Sequence, residues 1–282
     1  MVYQLKNEVL TVEISSLGAE IISVKKDGKE RVWQNENGGW DGHAPIHFPK
    51  CGDCRFIING TEYPMCGHGF VRKNEFELVE KGENFIKLAF SATAETKTVY
   101  PYDFRFIATF TLDGAKMQID YETFNPSNEP IYFSCGSHES YSLDGEIEEF
   151  EAVFPEEEAF ISPLHTSEAR GFIGKAVDFG KGKSIRFPRE FMEDNTLVLT
   201  GVKSREVEVR KIGGASVCKV WFEGFDNLLF WHPEGSRMVC VEPWLNLPDL
   251  VTEPIPDFRE KAGVQKLEPN ETKIFTHTIE YK

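Results

Sequence analysis

The sequence has no run of about 18 consecutive apolar residues, the length a membrane-spanning helix needs. Its start, Met1-Val2-Tyr3-Gln4-Leu5-Lys6-Asn7-Glu8, has no basic stretch leading into an apolar block. Neither a membrane span nor a secretory leader is expected. Positive charge is scarce: 31 Lys and Arg against 46 Asp and Glu leave a formal charge of −15. That balance repels nucleic-acid phosphates and anionic lipid surfaces, so no nucleic-acid or membrane partner is expected. The GxGxxG and P-loop patterns that cradle nucleotide phosphates are absent, and so is the GxSxG of serine hydrolases. Six cysteines without a leader are expected as reduced thiols in a cytoplasmic protein.

What is present is apolar material enough for a large core (40% hydrophobic, 13% aromatic residues) and a period of two. Leu10, Val12 and Ile14 alternate with Thr11, Glu13 and Ser15. Phe104, Phe106, Ala108, Phe110 and Leu112 do the same, and Asp113-Gly114 then turns the chain into Met117, Ile119 and Tyr121, a hairpin pattern. Asp27-Gly28 and Asn59-Gly60 are similar turns. Further strands are expected over 206–210, 216–222, 238–241 and 273–281. Helical stretches are few: Pro155 to Phe160 and Arg189 to Asp194 each suggest a short helix. No repeat or composition break divides the chain, so residues 1–282 are expected to form one all-β domain, a large antiparallel β-sandwich.

Two of the seven histidines stand in unusual surroundings. His68 lies between glycines in Cys66-Gly67-His68-Gly69-Phe70-Val71-Arg72, and His138 follows the apolar strand 131–133 in Cys135-Gly136-Ser137-His138-Glu139. His277, alternating with Phe275 and Ile279, reads as a core residue. Glu242 ends the apolar run 238–241 and precedes Pro243 and Trp244. A carboxylate there is costly to bury unless it is paired or has work to do, and burial would raise it toward a useful general-base value. Trp244, with Trp33, Trp40 and Trp231, could stack on a sugar ring, although core packing accounts for most of them. Cys51-Gly52-Asp53-Cys54, with Cys66 and His68, could in principle be a redox pair or a zinc site. No βαβ pattern surrounds it, and Cys66-x-His68 is too tight for usual zinc spacing, so no metal role is expected.

Taken in order, Pro45-Ile46-His47-Phe48-Pro49, Gly67-His68-Gly69-Phe70-Val71-Arg72, Gly136-Ser137-His138, 225–233 and Val241-Glu242-Pro243-Trp244, with the early Gly18-Ala19-Glu20 turn, resemble the aldose 1-epimerase (galactose mutarotase-like) family. The likeness is to its LacX-like bacterial branch. The resemblance implies a large antiparallel β-sandwich that interconverts the α and β anomers of a free hexose without a cofactor. By resemblance His138 is the general acid and Glu242 the general base. His68, Arg55, Arg72, Asp194 and Trp244 would contact the sugar. Positions 138 and 242 should then converge on a shared pocket with room for a pyranose between them. One departure is Glu139, where family members commonly carry proline. It could hold the histidine protonated or point away on the other strand face. A hexose-6-phosphate 1-epimerase, with Arg72 and either Arg55 or Lys50 on the phosphate, and a non-catalytic sugar-binding protein are the rival readings.

Overall fold

The computed structural model describes residues 1–36, 40–166 and 171–282. The chain opens with β1 (Val2–Lys6), β2 (Leu10–Ser15), β3 (Ile21–Lys26) and β4 (Lys29–Glu30), an antiparallel sheet in sequence order. Leu10, Val12 and Ile14 are buried on one face of β2, as their alternation requires. Asp27 and Gly28 both take positive φ, 53° and 74°, the pair of left-handed residues that a tight hairpin between twisted strands needs. Asn59-Gly60 repeats the device between β5 (Ile57–Ile58) and β6 (Thr61–Glu62).

A meander follows: β7 (Glu77–Lys81), β8 (Phe85–Ser91), β9 (Arg105–Asp113) and β10 (Lys116–Phe124). The expected hairpin is there, Asp113 pairing with Lys116 around Gly114. Next come β11 (Ile131–Phe133), β12 (Glu139–Ser142) and a long hairpin, β13 (Phe150–Thr166) with β14 (Gly171–Arg186). The expected helix at Pro155 to Phe160 is not formed, because this stretch is part of β13. Phe154 and Phe160 both face inward, and a register shift between Val153 and Glu158 accommodates Pro155, Glu156 and Glu157. Glu158 is buried, not on a helix surface, and accepts from the Ser204 N–H and hydroxyl, each at 2.7 Å. The other short helix is as expected, α1 (Arg189–Asp194).

The remaining strands are β15 (Leu197–Thr200), β16 (Glu206–Lys211), β17 (Ser216–Trp221), β18 (Asn227–Trp231), β19 (Met238–Trp244), β20 (Gln265–Leu267) and β21 (Thr272–Tyr281). They complete a large antiparallel β-sandwich. Its main sheet has nine strands in the order β14-β13-β16-β17-β21-β10-β9-β8-β7, and a four-stranded sheet runs β12-β19-β18-β15. Every residue of β19 is buried, which explains its near-continuous apolar sequence: one face joins the core and the other is covered by loops. Among the described residues no helix is long and apolar enough to cross a membrane.

Candidate active site

The register of the four-stranded sheet decides which side chains meet. Glu139 pairs with Val241, and Gly136 bridges Trp244, in one continuous antiparallel frame. His138 therefore stands opposite Glu242, and their side chains emerge on the same face. Glu242 in turn pairs with Leu229 on β18, which pairs with Val198 on β15. This row of four residues, three on β19, β18 and β15 and His138 just ahead of β12, forms the floor of a cavity of about 750 Å³, within the range that binds small molecules. Trp231 and Thr196 flank the row on one side and Trp244 on the other.

His138 Nε2 lies 3.4 Å from Glu242 Oε1. The two groups are in mutual contact, and the expected gap between them is absent. Burial pushes Glu242 well above the usual carboxylate range, with the charge of Glu139 adding to the effect. Burial also pulls His138 down, to about 4. Burial thus disfavours charge on both members of the pair. Neither oxygen of Glu242 accepts a hydrogen bond from the described residues. A buried acceptor left open is costly, and a substrate hydroxyl would satisfy it.

Loops build the walls. Phe48 and Gly69 bridge in parallel, and a Cβ on Gly69 would lie 2.0 Å from the Phe48 carbonyl oxygen, so glycine permits the approach. That contact presents His68, itself at φ 63°, to the cavity. His68 Nδ1 accepts from Gly52 N–H at 3.3 Å. His47, beneath it, is fully buried and stacks on His68 with ring centroids 4.0 Å apart. Burial, then the neighbouring His68 and His138, hold His47 well below its ordinary value, so it packs as a neutral ring. Trp40 and Trp231 close around the His138 ring at 5.0 and 5.5 Å. Glu20 ties the approach to this loop by accepting from the His43 and Ala44 N–H groups.

A family model described as aldose 1-epimerase matches residues 1–254. The chain belongs to the aldose 1-epimerase family. Among curated relatives, the plasmid and chromosomal LacX proteins of Lactococcus lactis are each 31% identical, with 99% of both chains covered. Among solved structures, a galactose mutarotase related enzyme from Lactobacillus acidophilus superposes with a TM-score of 0.90 at 24% identity, covering 100% of this chain and 97% of its own. A galactose mutarotase-like protein from Lactobacillus casei gives 0.91 at 21% identity, covering both chains fully. At those identities the likeness is one of fold.

Of the residues singled out in this aldose 1-epimerase family member, His138, Glu242, His68, Arg72 and Trp244 share the cavity. Trp244 is anchored by its Nε1, which donates to the Ser137 carbonyl at 3.1 Å. Arg55 and Asp194 are not on the cavity wall. The Arg55 guanidinium donates to the carbonyls of Leu250 and Glu253 at 2.7 and 2.8 Å, and so is spent on pinning a loop. Asp194 is exposed at the end of α1; two residues on, Thr196 supplies the wall, 3.5 Å from His165 Nε2. Lys50 is likewise unavailable to a phosphate. It is fully buried against Asp53 at 2.8 Å.

The cysteines divide. Burial pushes the Cys51 thiol up to about 12, while Cys54 and Cys66 reach the cavity mouth. Among the described residues the one set of three donors within mutual reach of a metal ion is His138, Cys240 and Glu242. Burial and the Glu242 charge hold the Cys240 thiol well up, which keeps it protonated and makes it a poor ligand. His165 is the cavity's less legible member: its contact Thr196 lies 31 positions on, and no local motif marks it.

Proposed function

We propose that this protein is an aldose 1-epimerase acting on a free hexose, with His138 and Glu242 as its acid and base. The observation that carries this is a buried imidazole and carboxyl group set 3.4 Å apart, side by side on the floor of an aromatic cavity. Ring opening asks for one proton to leave the C1 hydroxyl and another to reach the ring oxygen, both oxygens being bound to the same carbon. Glu242 takes the first and His138 gives the second as the C1–O5 bond breaks and the carbonyl forms. The pair then stands as neutral carboxyl and neutral imidazole. Rotation about C1–C2 offers the other carbonyl face, and closure returns both protons.

Burial favours that neutral arrangement, which is the state needed while the open-chain aldehyde is bound. The substrate's hydroxyl, donating to Glu242, would draw the proton across to His138 for the opening step. His68 and Arg72, both on the cavity wall, would steady the oxygens as charge develops, and the tryptophans would offer faces for the sugar's C–H surface.

Polarimetry or NMR exchange on α-glucose and α-galactose tests this directly. Accelerated anomerisation is expected, and no acceleration of any aldose would remove the reading. The rate should follow a bell in pH. Its acid limb should fall with a midpoint near 4, as a second proton goes onto His138, and its alkaline limb should fall as Glu242 loses the last one.

A second reading, a hexose 6-phosphate substrate, is favoured by one observation: Arg72 and Lys73 stand together on the cavity wall. A preference for glucose 6-phosphate that disappears in Arg72→Ala would establish it. The non-catalytic alternative loses its motivation, since Glu139 turns away from the cavity.

A further inference from the structure

Behind the cavity floor lies a second acid–base pair that the proposed reaction leaves unused. Glu139 follows His138 and pairs with Val241, so it points to the opposite face of the sheet. There its Oε1 lies 2.9 Å from Nε2 of His277 on β21, a strand of the nine-stranded sheet. The pair spans the interior between the two sheets, with side chains 2% and 0% exposed. The other Glu139 oxygen, His277 Nδ1 and the hydroxyls of Tyr141 and Tyr281 are buried there without a hydrogen-bond partner among the described residues. Such a polar island is expensive in a core that could have been apolar. A packing role alone does not account for it.

We propose that Glu139, held by His277, is a positioning residue for the site: its buried negative charge, one peptide from His138 and one ladder step from Glu242, governs how the proton is shared between them. This rests on the acid–base reading above. The groups facing Glu139 are His277 and Tyr281 from β21, Tyr121 from β10, Tyr141 from β12 and Cys218 from β17; Cys240 of β19 lies on the cavity face with Glu242. Of these, His277 alone is hydrogen-bonded to Glu139. On the cavity side, Arg72 opposes the effect of Glu139 on His138 and Glu20 reinforces it. Low-dielectric surroundings let the charge act through the sheet with little screening. Its sign makes Glu242 harder to ionise and His138 easier to protonate, so both members hold protons to higher pH than burial alone would allow.

The test is Glu139→Gln, with two readouts. One is the pH profile of kcat/KM for glucose anomerisation. The other is NMR titration of the His138 ring and the Glu242 carboxyl in substrate-free protein. Both limbs of the profile and both titrations should move to lower pH by about one unit, and Glu139→Asp should return them toward the starting values. Loss of activity that is equal at every pH, with the titrations unmoved, would make Glu139 merely structural and overturn the proposal. Where the single variant does not fold, Glu139→Gln combined with His277→Gln keeps an amide hydrogen bond across the same gap without charge. It should show the same downward displacement, and an unmoved titration there counts equally against the proposal. The NMR arm needs no turnover, so an inactive wild-type protein would sink the epimerase reading and still leave this inference to be decided.

Discussion

Glu242→Gln is expected to lower kcat for anomerisation by about 10³-fold, within the range that a positioned general base supplies, and to leave KM close to its starting value. The amide keeps the volume and hydrogen-bonding reach of the side chain but cannot accept the C1 proton. The fold should not suffer. Burial disfavours the charged form of Glu242, so a neutral isostere suits the site, and the melting temperature should be unchanged or slightly higher. His138→Asn should cost a similar factor, and the double variant little more than either alone, because the two act as one unit in the same step. Exchange NMR on α-glucose reads all three rates. A Gln variant within a few-fold of wild type would mean that the base lies elsewhere on the cavity wall.

The second large effect is on stability. Lys50→Met should destabilise the protein by about 3–5 kcal/mol, a drop in melting temperature of roughly 10 °C for a chain of this size. The ammonium donates to Asp53 Oδ1 and to the Arg55 carbonyl, both at 2.8 Å, with no solvent in reach. Asp53 uses its other oxygen to hold the Asp249 N–H at 3.1 Å, and Lys261 pairs with Asp249 at 2.6 Å. Removing Lys50 strands a buried carboxylate at the centre of this network. Replacing Lys50 and Asp53 together by Met and Leu should recover much of the loss, which thermal melts followed by circular dichroism would register. Because Gly52 of the same loop contacts His68, the single variant should also weaken sugar binding.

The strands and hairpins were legible because alternation and turn chemistry are local: Leu10 to Ser15 and Asp113-Gly114 carry their own instructions. Residues 155–160 were misread because a run of glutamates beside alanine has helical character. Tertiary burial of Phe154, Phe160 and Glu158 overrides it. The site was partly legible for a similar reason. His68 and His138 sit among glycines whose close approaches are written in the sequence, Gly136 lying against Trp244 and Cys51. Glu242 stood out as a charge ending an apolar strand. The roles of Arg55 and Asp194 depend on which loop each side chain finds, and nothing local to either residue records that. Nor does the sequence around Glu139 reveal its partner 138 positions away.

Because His138 and Glu242 occupy facing positions on adjacent strands, their separation is dictated by main-chain pairing and hardly by the side chains around them. What the protein must preserve is parity. Loss or gain of one residue between Gly136 and Glu139 would rotate the segment by half a pleat, sending the imidazole into the interior and turning Glu139 outward beside Glu242. Two carboxylates would then share the floor, with no imidazole between them to supply the second proton. Substitutions can accumulate on this sheet; a shift in count cannot.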